Sequence, residues 1–232
     1  MDFAIEPLAE DVLLLRFGER IDIDINACVH AAARALRAAQ LPGLIDIAPA
    51  YATLLVRFDP FAQPDRDGFR ASLSAAVRAG GSEASAPSVA AREVVVPVCY
   101  GGVHGPDLET VATQARLALE EIVRRHAAAK YTVAMLGFAP GFPYLLGLDA
   151  ALHTPRRADP RKRVPAGSVA IGGAQTGIYP RELPGGWNLI GRTPLALFDP
   201  GRDPPCLLAP ADRVRFRAID AGEFARLAER RA

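Results

Sequence analysis

The sequence predicts an α+β chain in two parts: a small N-terminal α+β sandwich over residues 1–80 and, past a linker at 81–88, a β-rich domain over 89–232, a sandwich or a small barrel. Three observations carry that prediction. The first eighty residues alternate strand-like and helix-like apolar patterns. The stretch "GGSEASAPS" replaces that periodicity with glycine, serine, alanine and proline. Beyond residue 148, short β-prone runs recur between glycines and prolines, the spacing of a small barrel or sandwich.

Taken in order, "DVLLLRF" reads as a strand. "DINACVHAAARALRAAQ" places Ile25, Cys28, Val29, Ala32, Leu36 and Ala39 on one helical stripe, with Asp24 as its cap. "LPGLIDIAPAYATLLVRFDP" gives two strands about a turn at Pro49 and Ala50, and "PDRDGFRASLSAAVRA" a second helix with Phe69, Leu73 and Val77 spaced by four. Strand, helix, two strands, helix suits helices on one face of an antiparallel sheet. In the second part "REVVVPVCY" is a strand. "GPDLETVATQA" is helical with Pro106 in its first turn, "LEEIVRRHAAA" extends that pattern, and "KYTVAML" is a strand. "GSVAIGG", "QTGIYP", "WNLIGRT", "LALFDP" and "DRVRFRAI" read as further strands, and "AGEFARLAERR" as a closing helix.

Composition excludes several functions. Half of the 232 residues are hydrophobic and 23% are charged, an ordinary globular mixture. The longest apolar runs fall far short of the roughly 20 residues that cross a bilayer. The acidic N-terminal segment lacks the pattern of a secretory signal. Cytoplasmic residence is expected. A net charge of +1 gives no basic stripe for nucleic acid or an anionic membrane. Cys28, Cys99 and Cys206 are too scattered for a metal or redox motif and read as reduced thiols. No metal-binding set, phosphate loop, GxSxG elbow, HExxH or GxGxxG fingerprint is present.

The chemistry-bearing candidates gather in the second part, from "GFAPGFPYLLGL" through "TPRRADPRKRVPAGSVAIGGAQTGIYP" to "LPGGWNLIGRTPLALFDP". Interleaved glycine and proline make stiff loops. Phe138, Phe142, Tyr144, Tyr179 and Trp187 either wall a pocket or plug barrel corners. Arg156, Arg157, Arg161, Lys162 and Arg163 form either an anion site or a solvated loop. Arg192, in a β-rich segment, needs a ligand or a buried carboxylate. Ser168 is a nucleophile by type alone. His126, on an apolar helix face, is a satisfied core histidine or, in the minority reading, a general base. His104, in "YGGVHGPD", could border a site.

These blocks, with "VPVCYGGVHGPDLE" and "RRHAAAKYTV" ahead of them, closely resemble the family of the 5-oxoprolinase B subunit, the kinase inhibitor KipI and allophanate hydrolase subunit 1, in order and spacing over nearly the whole chain. The resemblance implies a cyclophilin-like β-barrel after the small α+β domain. It also implies a non-autonomous component that works with the C and A subunits of 5-oxoprolinase to open the cyclic amide 5-oxo-L-proline to L-glutamate, with ATP bound and hydrolysed at the level of the complex. An allophanate hydrolase or urea carboxylase-like role, or inhibition of a sensor histidine kinase, would carry the same motifs. Within such a pocket Arg156, Arg157 and Arg192 would meet anions. Loops at Gly141, Gly167, Gly185 and Gly186 would offer N–H donors to an oxyanion. Arg192 and His126 are the catalytic candidates. The substrate-binding set is Phe138, Phe142, Tyr144, Arg156, Arg157, Ser168, Tyr179, Trp187 and Arg192.

Overall fold

The computed structural model describes residues 2–82 and 92–229. The chain separates into two compact units, Met1–Ala91 and Arg92–Ala232. Of the linker expected at 81–88, residues 83–88 lie outside the described residues, and Gly81 and Ser82 end a helix.

The first unit runs β1 (Ala4–Ala9), β2 (Val12–Arg16), α1 (Ile23–Ala39), β3 (Leu44–Pro49), β4 (Thr53–Phe58) and α2 (Arg66–Ser82). Its antiparallel sheet has the order β1-β2-β4-β3. Leu13, Leu15, Leu54 and Val56 alternate onto one face. There they meet Val29 and Leu36 of α1 and Phe69, Leu73 and Val77 of α2 in one buried cluster. Two sequence expectations change. β1 is an added edge strand, with Pro7 at a bulge where a missing N–H does no harm. The cap of α1 is Asp22 rather than Asp24: its carboxylate accepts from the N–H groups of Asp24 and Ile25 at 2.9 and 3.2 Å.

The second unit runs β5 (Glu93–Tyr100), α3 (Leu108–Ala115), α4 (Leu119–Ala128), β6 (Tyr131–Leu136), β7 (Pro143–Leu146), β8 (Arg161–Val164), β9 (Ser168–Gly172), β10 (Gln175–Ile178), β11 (Leu183–Gly185), β12 (Asn188–Arg192), β13 (Arg213–Ile219) and α5 (Ala221–Glu229). Seven strands close a barrel in the order β10-β7-β6-β13-β5-β12-β9, and β8 and β11 pair separately as a ribbon. The β5–β13 pair is parallel, its neighbours antiparallel. The core holds Val96, Val98, Val133, Leu145, Val169, Ile171, Ile190 and Phe216 from the strands, joined by Val111 of α3 and Ile122 of α4.

Four local readings are corrected. Pro106 precedes α3, which starts at Leu108. α3 and α4 are separate helices because Arg116 adopts a left-handed conformation, φ 54°. "LALFDP" forms only a single bridge, Phe198 to Cys206. The basic run and the tail of "GFAPGFPYLLGL", read as loops, contain strands β8 and β7.

Candidate functional site

Strand alternation divides the barrel wall into two chemical faces. On β9, Val169 and Ile171 point into the core while Ala170 and Gly172 point out. On β12, Ile190 points in and Leu189 out. The outward positions of β9 are small, so an aromatic ring packs close to its backbone. A Cβ at Gly172 would sit 2.6 Å from the Trp187 ring, one at Gly177 3.1 Å from Phe142, and one at Gly185 2.2 Å from the Tyr179 hydroxyl. Ala139, Phe142, Val164, Ala170, Tyr179, Trp187 and Leu189 thus form a second apolar cluster, to which β8 and β11 contribute Val164 and Leu183.

Within that layer opens a cleft of about 230 Å³ lined by Phe138, Phe142, Tyr144, Arg156, Arg157, Tyr179 and Trp187, with Pro160, Pro184, Gly185 and Gly186. Seven residues singled out from sequence therefore meet in one place. The rings interlock edge to face: Phe142 to Trp187 at 5.8 Å, Phe142 to Tyr179 at 5.2 Å, Tyr144 to Trp187 at 5.9 Å. Phe142 is 2% and Trp187 6% exposed, so they form the floor, whereas Phe138, 60% exposed, stands at the mouth. Phe138 also has φ 65°, a left-handed conformation that costs a side-chain-bearing residue about 1–2 kcal/mol. The turn that holds it is closed by the Ala139 N–H to Gly137 carbonyl bond at 2.7 Å. The pocket and the barrel-corner readings of the aromatics both hold in part, for buried rings supply the floor of an open cleft.

The cations divide by partner. The Arg156 guanidinium lies over Trp187, 5.7 Å from the ring centroid, and makes no ion pair with a described residue. Arg157 instead donates to Asp107 at 3.0 Å, and Arg161 donates to both oxygens of the same carboxylate at 2.7 and 2.8 Å. Asp107 also accepts the Leu189 N–H at 2.7 Å and is buried. It occupies the N-cap position of α3 without capping that helix. Sequence reading missed Asp107 because its arginines lie 50 and 54 residues away. Its place at the end of the glycine loop "YGGVHGPD" was the available signal. Burial raises the Tyr179 pKa, against a hydrogen bond from the Trp187 backbone and the charges of Arg156 and Arg161. Burial likewise raises that of Tyr144, against Arg156.

Three predicted site residues do not line the cleft. Arg192 spends its Nε on the Ala166 carbonyl at 2.7 Å and stands opposite Cys99 and Ser168 on the neighbouring strands. Ser168 is buried in β9. His126 is fully buried in the core: its Nδ1 lies 2.8 Å from the Tyr100 hydroxyl, its Nε2 3.2 Å from Thr176 Oγ1, and its ring stacks on Phe216. Thr176 donates to the Ala170 carbonyl, so its oxygen accepts from Nε2–H, and Nδ1 accepts from Tyr100. This neutral, satisfied imidazole is structural. Desolvation pushes its pKa down to about 3. His104 packs on Phe224 of α5, 4.3 Å between centroids. The Gly167 N–H is taken by the Tyr179 carbonyl and is closed to an oxyanion, while Gly141 is buried against Leu197 and Phe198. Among the described residues no His, Cys, Asp and Glu cluster could hold a metal, and no helix is long and apolar enough to cross a membrane.

Residues 3–208 match the carboxyltransferase domain, subdomain C and D. The chain is 42% identical to the 5-oxoprolinase B subunit of Bacillus subtilis over 228 residues, 96% of this chain and 95% of that protein. Among solved structures, the crystal structure of TTHA0988 superposes with a TM-score of 0.77 at 41% identity, covering 91% of this chain but only 40% of that one. The Kluyveromyces lactis urea carboxylase superposes with a TM-score of 0.74 at 21% identity over 98% of this chain and 22% of its own, a likeness of fold.

Proposed function

The chain belongs to the carboxyltransferase subdomain C and D family and is similar to the 5-oxoprolinase B subunit along nearly its whole length, and from that premise we propose that it is the corresponding component of an ATP-dependent complex that opens 5-oxo-L-proline to L-glutamate. One observation carries the reading: the aromatic cleft with Arg156 over Trp187, in a chain similar to a 5-oxoprolinase component along nearly its whole length. The substrate is a five-membered planar lactam bearing one carboxylate. Its ring suits a floor of interlocked aromatics, and its charge suits a guanidinium fork held at the edge of that floor.

The cleft volume of about 230 Å³ lies below the roughly 300–1,000 Å³ of sites for drug-sized ligands. That size suits a small cyclic acid better than a nucleotide. Nucleotide recognition then falls to the C and A subunits. The lactam carbonyl is unactivated, and ATP supplies the driving force for ring opening when the complex binds it. This chain's share is positioning. Arg156 fixes the carboxylate, and Phe142, Tyr179 and Trp187 exclude bulk water without an ordering cost, being locked by their neighbours before ligand arrives.

The test is reconstitution. The isolated chain should hydrolyse no ATP in response to 5-oxoproline. Adding the C and A subunits should produce 5-oxoproline-dependent ATP hydrolysis and glutamate in equal amounts. Turnover by the chain alone, or a reconstituted complex indifferent to 5-oxoproline, would refute the assignment.

A further inference from the structure

We propose that Asp107 is the positioning residue of the cleft, a buried carboxylate that clamps the β8–β11 ribbon to the barrel and so holds Arg157 and the Gly185–Trp187 wall in register with Arg156; this rests on the cleft being the ligand site. Four donors converge on Asp107: one from Arg157, two from Arg161 and the Leu189 N–H of barrel strand β12. Arg161 opens β8 and is paired in register with Gly185 of β11, two residues before Trp187. The Arg157 N–H meanwhile donates to the Gly186 carbonyl at 2.7 Å. The carboxylate therefore bonds the β8 side of the ribbon to β12, and the β11 side follows through the Arg161–Gly185 pairing and the Arg157–Gly186 bond.

Two features set this apart from an ordinary structural ion pair. Aspartate at an N-cap position normally accepts from its own helix, yet the Asp107 side chain leaves α3 uncapped and turns to the ribbon. Two arginines share one carboxylate, so the cluster keeps a net positive charge although its anion is buried. A pair that served stability alone would gain little from such a buried, charge-unbalanced arrangement, because the desolvation penalty is large. What it supplies is a fixed geometry for the cationic wall.

The charge balance gives the test an unambiguous sign. Asp107→Asn makes the cleft more positive, so electrostatics alone predicts tighter binding of an anion, whereas loss of positioning predicts weaker binding. Trp187 is the only tryptophan in the chain, and its quenching by neutral acrylamide reports wall integrity with no ligand and no charge effect. In the full chain, Asp107→Asn and, as a second variant, Arg161→Met should each raise the acrylamide quenching constant at least twofold. In the reconstituted complex, Asp107→Asn should raise the KM for 5-oxoproline tenfold or more with kcat nearly unchanged, whereas mere loss of folded protein would lower kcat and leave KM alone. Unchanged quenching in a folded variant, a lowered KM, or a fall confined to kcat would overturn the proposal. If Asp107→Asn does not fold, Arg161→Met decides by quenching. A wild-type complex inert to 5-oxoproline would refute the functional reading instead, and the quenching data would still decide the role of Asp107.

Discussion

Arg156 lies over the face of Trp187, its guanidinium carbon 5.7 Å from the ring centroid, and it makes no ion pair with a described residue. Binding of 5-oxoproline to the complex should therefore change Trp187 emission. Arg156→Ala should weaken binding by about 1.5–3 kcal/mol, the usual worth of a charge-assisted hydrogen bond. Arg156→Lys should recover only part of that, because an ammonium lacks the planar fork. Fluorescence titration of the variants checks this, and an unchanged affinity in folded Arg156→Ala would remove the residue from the site.

Gly172 is the seat of the Trp187 ring. A methyl group there meets three Trp187 ring atoms at 2.6 Å, so Gly172→Ala must displace the indole. Overpacking of this kind costs about 1–3 kcal/mol. The variant should melt earlier and emit further to the red than wild type. Gly173→Ala serves as a control for space, since nothing lies within 4 Å of its added Cβ, although its φ of 66° brings backbone strain of its own.

Acid should unfold the barrel through His126. Its folded pKa, about 3, is depressed from 6.5 by burial. The unfolded chain therefore binds a proton that the folded one refuses, and stability is complete above about pH 6.5 and lost as pH falls toward 3. The slope from this one group reaches at most about 1.4 kcal/mol per pH unit. His126→Leu should flatten the acid limb of a pH–stability profile measured by urea unfolding. At neutral pH it should cost roughly 1–3 kcal/mol for leaving Tyr100 and Thr176 without their ring partner.

Arg192 should behave as a brace for the turn before β9. Removing its bond to the Ala166 carbonyl should lower stability by about 1–3 kcal/mol while leaving the affinity of the cleft for 5-oxoproline unchanged. Calorimetry and ligand titration on Arg192→Ala separate the two effects. A stable variant with lost affinity would return Arg192 to the binding set.

What could be read from sequence tracks the range of the interaction that decides each element. Helix α1 and the Phe69, Leu73, Val77 stripe follow from local periodicity, and the structure places their apolar residues in the core. β1 and β7 were not legible because neither carries a sustained β-branched run like that around Pro97 in β5, and their pairing is settled by partner strands. The aromatics of the cleft stood out by composition. The reason they meet lies in the alternation of "SVAIGG", where large side chains face the core and small ones face the rings. Arg156 and Arg157 are adjacent in sequence and identical in type. Only the fold separates them, giving one an indole and the other a buried carboxylate.

β13 lies between β5 and β6, paired with Glu93–Cys99 on one side and Tyr131–Thr132 on the other. The barrel's two earliest strands thus wait for its latest one. During synthesis, residues 93 to 136 emerge with matching edges exposed and no neighbour to fill the gap, while more than seventy further residues must follow before the ring can shut. The first unit, whose pairings are all internal to it, can meanwhile fold to completion. In the cell, closure of the second unit is a late and long-range event, and this interval is when the nascent chain most needs protection from pairing with a sister copy.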